Sequence, residues 1–362
     1  MTPEEEERWI ASIKAENDET ALEKLKRFQR PKTQAFFQAP SGHRLHLRIL
    51  LPSDDLEARQ VKAVIVHCHG MNSHVNGGHW AGEFLPRLAR EGFAVFGVDI
   101  MGHGYSEGTR ALIQDWHHVF ADLEALTEAI FDVGDEPVRA EVFNANMAPE
   151  ILGRLRQRPL FIHGASMGGM ICFHLGMRLQ RHPRLQKIFK GATLGCPALQ
   201  VPMPPEAVVC FLNAFVVPCF SHSGMPSILS SSSKINYGHS YVLSDPKQKM
   251  YAEMEMRDDP LRFPDVGLGW TRNTRWGTAG AFAKVFSSMD KDMTNAKFPF
   301  LIIHDPQDKI TFFEGSEKLM ERSPSNDKEL RRFDTGGFHC ICFIDLEGYV
   351  GVQSSWMNQR LA

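Results

Sequence analysis

Apolar positions along this chain fall into two alternating rhythms. Short apolar runs bounded by glycine, proline or polar residues predict strands over 34–38, 45–51, 61–67, 93–98, 191–195, 298–304 and 329–333. Between them, apolar residues recur three and four apart and predict helices over 80–90, 115–131, 169–180 and 312–322, with another at the C-terminus. In 115–131 the stripe is Phe120, Leu123, Leu126 and Ile130. The first two strands meet at Ser41-Gly42 as in a hairpin, and the second alternates, with Leu45, Leu47 and Ile49 on one face and His46 and Arg48 on the other. Strand, loop and helix repeating in this order imply an α/β fold, a mostly parallel sheet with helices on both faces.

The rhythm breaks in two places. Residues 3–29 are charged, with a thin stripe of Trp9, Ile10, Ile13, Leu22, Leu25 and Phe28, and Thr2-Pro3 suits a helix start. Residues 1–30 therefore read as an appended helix packed on the body. From 201 to 296 a proline cluster, an apolar segment at 207–220, a serine run at 230–233 and several short helical patterns replace the alternation. An insertion at this point predicts a cap (lid) domain over 201–296, set between core segments 31–200 and 297–362. No internal repeat is evident.

Composition narrows the functional classes. At 362 residues, 43% hydrophobic and 23% charged, the chain is a globular protein long enough for one large domain with an insertion. A formal net charge of −3 gives no reason to expect nucleic acid or an acidic membrane as partner. The opening Met1-Thr2-Pro3 and the glutamates after it are unlike a signal peptide, and no apolar run reaches the roughly 18–20 residues of a membrane span. Seven cysteines without C-x-x-C spacing suit free thiols in a reducing compartment, so an intracellular, cytoplasmic location is expected.

The chemistry centres on residues 159–169. A strand-length apolar run leads into Gly164-Ala165-Ser166-Met167-Gly168, and an apolar helical pattern (Met170, Ile171, Phe173, Leu175, Met177) follows at once. A G-x-S-x-G turn from strand to helix lifts a serine hydroxyl above the sheet, with flanking glycines because a Cβ would block the turn. The helix N-terminus beneath Ser166 favours developing negative charge.

A serine nucleophile needs a base, an acid to orient that base, and two backbone N–H groups for the oxyanion. Asp308 follows the strand at 298–304, and His339 follows the strand at 329–333 in Gly336-Gly337-Phe338-His339. The order Ser166, Asp308, His339 is that of α/β-hydrolases. Asp305 is the rival acid; Asp334 lies too close in sequence to His339. One oxyanion donor is the Met167 amide. The other belongs to the loop after 61–67, His69-Gly70-Met71-Asn72-Ser73, where Met71 is the choice and Asn72 its neighbour by one position. His67 and His69 share a strand face, but no third ligand is apparent, so no metal is expected.

The sequence resembles α/β-hydrolases of the monoacylglycerol lipase and lysophospholipase group, which includes serine aminopeptidase-like proteins. The resemblance rests on His69-Gly70, on Asp99-Ile100-Met101-Gly102-His103-Gly104-Tyr105-Ser106-Glu107-Gly108, on Gly164 to Gly169, on Asp259-Pro260-Leu261, on Asp308 with Lys309-Ile310-Thr311, and on His339. It covers about residues 35–360 and departs in three ways: Ala165 stands where a histidine is usual, Asp305 where glycine is usual, and 200–240 matches weakly. It implies ester hydrolysis through Ser166, His339 and Asp308, with no cofactor and a lipid ester of one acyl chain as substrate.

In the cap, Phe211, Leu212 and Phe215 join His69, Gly70 and Asn72 as candidate substrate contacts. The segment 207–220 reads either as a buried core helix or as an acyl-chain and membrane-facing element, which would give a peripheral membrane contact. His103 reads as structural, and Cys340 either as a thiol at the site or as a core residue. An aminopeptidase-like activity would need an ammonium-binding carboxylate, for which Glu253, Glu255 and Asp258 are available, although their spacing suits a solvated helix face. A short-chain esterase and a non-enzymatic scaffold are the further alternatives. A carboxylate at the elbow, as in epoxide hydrolases and dehalogenases, is absent.

Overall fold

The computed structural model describes residues 34–52, 61–71, 73–77, 84–134, 149–226 and 270–361. The expected helix at 1–30, Asn72, Asp259-Pro260-Leu261 and the acidic residues Glu253, Glu255 and Asp258 lie outside them. The strands described are β1 (Gln34–Gln38), β2 (Arg44–Leu50), β3 (Ala63–Cys68), β4 (Phe93–Val98), β5 (Leu160–Ala165), β6 (Phe189–Gly195), β7 (Gly224–Pro226), β8 (Trp270–Arg275), β9 (Phe300–His304) and β10 (Lys328–Arg332).

Eight of these form one sheet in the order β1-β2-β4-β3-β5-β6-β9-β10, and β7 pairs with β8 separately. The hairpin β1–β2 is antiparallel, as is β2 against β4. Every other pairing in the large sheet is parallel. Buried on both faces, the central strands read as continuous apolar runs. Val64, Val66 and Cys68 of β3 enter one core and Ala63 and Ile65 the other, which is the strand period of two.

The helices are α1 (Leu85–Arg90), α2 (Trp116–Phe131), α3 (Pro149–Leu155), α4 (Met167–Leu179), α5 (Glu206–Phe211), α6 (Val217–Phe220), α7 (Trp276–Met293), α8 (Phe313–Arg322), α9 (Ile341–Ile344) and α10 (Leu346–Gln359). Residues of α2, α4 and α7 pack into the larger core, on one face of the sheet. Residues of α1 and α10 pack on the other. Asp115 caps α2 by accepting the His117 N–H at 2.9 Å, so that helix begins where its apolar stripe begins.

Four elements differ from the sequence reading: the strands β7 and β8, which were not foreseen, and the helices α3 and α7. The helix expected over 80–90 is present over Leu85–Arg90, the part of it that is described. The short α3 was not foreseen, since seven residues carry little periodicity. The long α7 appeared only as fragments of helical pattern because Gly277 and Gly280 dilute it. Both glycines serve packing: a Cβ at Gly280 would stand 2.9 Å from Val217 and one at Gly277 2.8 Å from Leu112.

Burial also sets the protonation of several imidazoles. It pushes His103, His163 and His174 down to about 3. The unfolded chain protonates such rings below about pH 6.5, so across the interval down to about pH 3 the unfolded state binds more protons and folding stability falls as pH falls. The thermal midpoint is therefore expected to drop between pH 7 and pH 4, and less steeply in His174→Leu. Equal slopes for the two proteins would contradict the assignment of part of that loss to the half-buried His174 ring.

Candidate active site

Ser166 sits in the turn between β5 and α4 with φ 58° and ψ −123°, a left-handed backbone in a residue that is not glycine. The turn exists because backbones on both sides come into direct contact. A Cβ at Gly164 would stand 2.1 Å from the Gly168 carbonyl oxygen, and one at Gly168 2.2 Å from the Cys68 carbonyl oxygen at the end of β3. The Ser166 N–H donates to the Gly195 carbonyl at 2.8 Å and the Ser166 carbonyl accepts from Ala198 N–H at 2.9 Å, which holds the turn against β6.

Across the site, His339 Nδ1 and Asp308 Oδ2 are 2.7 Å apart. Asp308 Oδ1 accepts from the Ile310 and Thr311 N–H groups at 2.8 and 3.2 Å. His304 Nε2 lies 3.4 Å from the same Oδ2, and the Thr311 hydroxyl shares its proton between that oxygen at 3.1 Å and the Cys196 carbonyl at 3.0 Å. Burial pushes the Asp308 carboxyl up. The adjacent His339, the hydrogen bonds of both histidines and the Ile310 N–H outweigh that and hold it well below the usual carboxylate range. With Nδ1 committed to the carboxylate, Nε2 is the His339 nitrogen left for another partner. Asp305, the rival acid, points elsewhere: its Oδ2 accepts from Thr335 and Gly337. Asp334 is exposed.

The loop after β3 brings Gly70 and Met71 beside Ser166 and Met167, and all four line one cavity. His69 does not. It is fully buried, pairs through Nδ1 with the Gly70 carbonyl at 2.7 Å and accepts the Ile100 N–H at Nε2 at 3.2 Å, so it braces the loop and is corrected from a substrate contact to a support. His67 is engaged separately, its Nδ1 2.8 Å from His163 Nδ1. His103 Nδ1 lies 3.1 Å from the Met101 carbonyl, a structural bond as expected.

Beneath these loops Asp99 is completely buried. Its carboxylate accepts from Val75 N–H at 2.7 Å and Tyr105 N–H at 3.0 Å and pairs with His46 Nδ1 at 2.8 Å. Burial pushes this carboxyl up, but His46 above all, with His74 and His69, holds it well below the usual range. A Cβ at Gly104 would stand 2.1 Å from it, which explains the glycine between His103 and Tyr105.

The cavity holds about 460 Å³ and carries Ser166, Thr311 and His339 on its wall. Val208, Leu212 and Val217 of the α5–α6 segment and Phe282 and Phe286 of α7 line it as well. Among the described residues no Asp, Glu, Lys or Arg lines it. Of the predicted cap contacts only Leu212 faces inward. Phe211 and Phe215 are 57% and 64% exposed and do not line the cavity, because they fall on the opposite side of the helix. No residue of α5, the π turn Leu212–Val216 or α6 is buried, so the buried-helix reading of 207–220 is overturned. Pro218 removes a backbone donor where the chain widens into that π turn.

Cys340 is exposed on the cavity wall, so the core reading of that thiol does not hold, and Cys196 and Cys342 line the wall with it. Sequence reasoning missed Cys196 and Tyr349, and named Thr311 only within the stretch after Asp308, without a role at the site.

Against known proteins, a family model described as serine aminopeptidase, S33, matches residues 59–143 and 145–345. The rat monoglyceride lipase is 25% identical over 285 residues, 77% of this chain and 76% of that protein. The caffeoylshikimate esterase of Arabidopsis thaliana is 22% identical over 313 residues, 85% and 79% of the two chains. Among solved structures, a soluble variant of the Saccharomyces cerevisiae monoglyceride lipase with a substrate analog superposes with a TM-score of 0.65 at 17% identity, covering 92% of this chain and 97% of that one. That likeness establishes the fold, an α/β-hydrolase sheet.

The contact at the turn is testable. Gly168→Ala sets a Cβ against the Cys68 backbone, which cannot rotate away, and is expected to cost about 3 kcal/mol or more in denaturant unfolding. Unchanged stability would mean that α4 and β3 are not packed as described.

Proposed function

This chain belongs to the serine aminopeptidase S33 family, and on that premise we propose that it hydrolyses a neutral ester carrying one acyl chain, such as a monoacylglycerol. It is a serine hydrolase with an α/β-hydrolase fold, similar to monoglyceride lipases. The observation that carries the reading is the cavity: a serine and a carboxylate-paired histidine on an apolar wall without a charged side chain among the described residues. An acyl chain gains from such walls, whereas a phosphate, carboxylate or ammonium would be desolvated there without a partner.

In this reading Ser166 Oγ attacks the ester carbonyl as its proton passes to His339 Nε2. Asp308, which stays ionised through the neutral range, holds the ring and stabilises the imidazolium. The Met71 and Met167 amides receive the oxyanion. Collapse expels the glycerol alkoxide, which takes the proton from His339. A water activated by the same histidine then releases the fatty acid and frees Ser166. The segment 201–296 acts as the cap. Its exposed Phe211 and Phe215, with ring centroids 5.2 Å apart, would rest on a lipid surface from which the substrate enters. The peptidase alternative depends on Glu253, Glu255 or Asp258 reaching this cavity.

A panel of monoacylglycerols, lysophosphatidylcholines, p-nitrophenyl esters and amino-acid amides tests the reading. The neutral monoacyl lipids are expected to turn over fastest, and Ser166→Ala to lower kcat by about 10⁴-fold or more with the fold intact. Preference for amides would hand the case to the peptidase, and wild-type turnover in the variant would remove Ser166 from the chemistry. For the membrane contact, Phe211→Asp with Phe215→Asp is expected to abolish sedimentation with phosphatidylcholine vesicles while leaving hydrolysis of a soluble short ester unchanged. Retained sedimentation would move the contact elsewhere.

A further inference from the structure

The bond between Asp308 and His339 joins two loops that part company where the sheet ends. The last backbone bond between them is Phe333 N–H to the His304 carbonyl, at 3.1 Å. Beyond it, residues 305–312 carry the acid and residues 334–340 carry the histidine. The second loop passes through Gly336 at φ 78° and Gly337 at φ 85°, two successive left-handed residues, and nothing lies within 4 Å of where a Gly336 Cβ would be. Such a backbone has wide freedom, and the contacts of the imidazole at its far end, with Asp308 at 2.7 Å and with the Thr311 hydroxyl at 3.3 Å, do not by themselves set the path of residues 334–337.

We propose that Asp305 is a positioning residue whose carboxylate latches the His339 loop to the Asp308 loop. The inference rests on the catalytic reading above for its kinetic readout. One oxygen, Oδ2, accepts from the Thr335 N–H at 2.7 Å, the Thr335 hydroxyl at 2.6 Å and the Gly337 N–H at 3.1 Å. The other, Oδ1, accepts the Gln307 N–H at 2.7 Å, while the Asp305 carbonyl accepts the Asp308 N–H at 3.1 Å. A single fully buried carboxylate thus shapes the turn that presents Asp308 and grips the loop that presents His339. The two loops touch at Gly337, where a Cβ would stand 2.8 Å from the Gln307 carbonyl oxygen. Two aspartates three residues apart therefore divide the work: Asp308 meets the imidazole, and Asp305 sets where that imidazole stands.

The test compares Asp305→Ala, Thr335→Val and Thr335→Ser with the wild type on its best monoacyl ester. It also records the low-field proton resonance of the His339–Asp308 hydrogen bond, at a temperature where circular dichroism reports an intact fold. A misplaced base slows the chemical step more than binding, so Asp305→Ala is expected to lower kcat about 10²-fold with KM within about twofold. Thr335→Val, which loses one of the three bonds, is expected to fall between the two, and Thr335→Ser to restore wild-type kcat. The low-field resonance should broaden or vanish in Asp305→Ala and persist in Thr335→Ser. A folded Asp305→Ala with wild-type kcat and resonance would overturn the latch. Should Asp305→Ala fail to fold, unchanged kcat and resonance in Thr335→Val would overturn it equally. A wild type inactive on every ester would sink the proposed function instead, and the resonance would still report on the latch.

Discussion

Three backbone segments cross within contact distance at the turn after β5, and the rest of the site is arranged around that crossing. The end of β3, the last residues of β5 and the first turn of α4 leave no room for a Cβ at Gly164 or Gly168. That closeness forces Ser166 into its left-handed conformation and aims α4 from beneath it. It also fixes the loop after β3 against the serine, since Gly168 touches the Cys68 and His69 carbonyls directly. The Ser166 turn and the neighbouring loop after β3 are in this sense one packed object.

Buried carboxylates do the corresponding work for the loops. Asp99 draws together Val75, Tyr105 and His46 from three separate stretches, and Asp305 and Asp308 do the same at the other end of the sheet. In each case an ionised group shielded from solvent is tolerated because several N–H donors or an imidazole surround it, and for the deeply buried Asp99 and Asp308 removal of a partner leaves a costly charge. The arrangement ties loops that carry no regular hydrogen bonding of their own to the rigid sheet. It also suits the proposed chemistry, which needs groups on four different loops held in one geometry.

Legibility in the sequence was uneven, for physical reasons. The strands of the large sheet, α2, α4 and the Gly164-Ala165-Ser166 turn could be read because strand burial and helix amphipathicity write themselves locally, at periods of two and of about four. The pairing of Asp308 with His339, rather than Asp305 with His339, was favoured by spacing, and the structure shows those atoms 2.7 Å apart. In sequence His69 reads as a substrate contact because a histidine beside a glycine in such a loop looks the same whether it faces a ligand or, as here, a carbonyl. Phe211 and Phe215 were misread because an almost wholly apolar segment does not reveal which of its sides turns inward.

The sequence by itself determined the α/β alternation, the strand-turn-helix around Ser166 and the order of serine, acid and histidine, since each depends on local residue types and their spacing. Only the tertiary structure decided that Asp305 grips the loop of His339, that Leu212 and not Phe211 faces the cavity, and that no charged side chain among the described residues lines it. Those outcomes depend on where segments distant along the chain meet. The direction a side chain takes there is set by partners that its own neighbours in sequence do not specify.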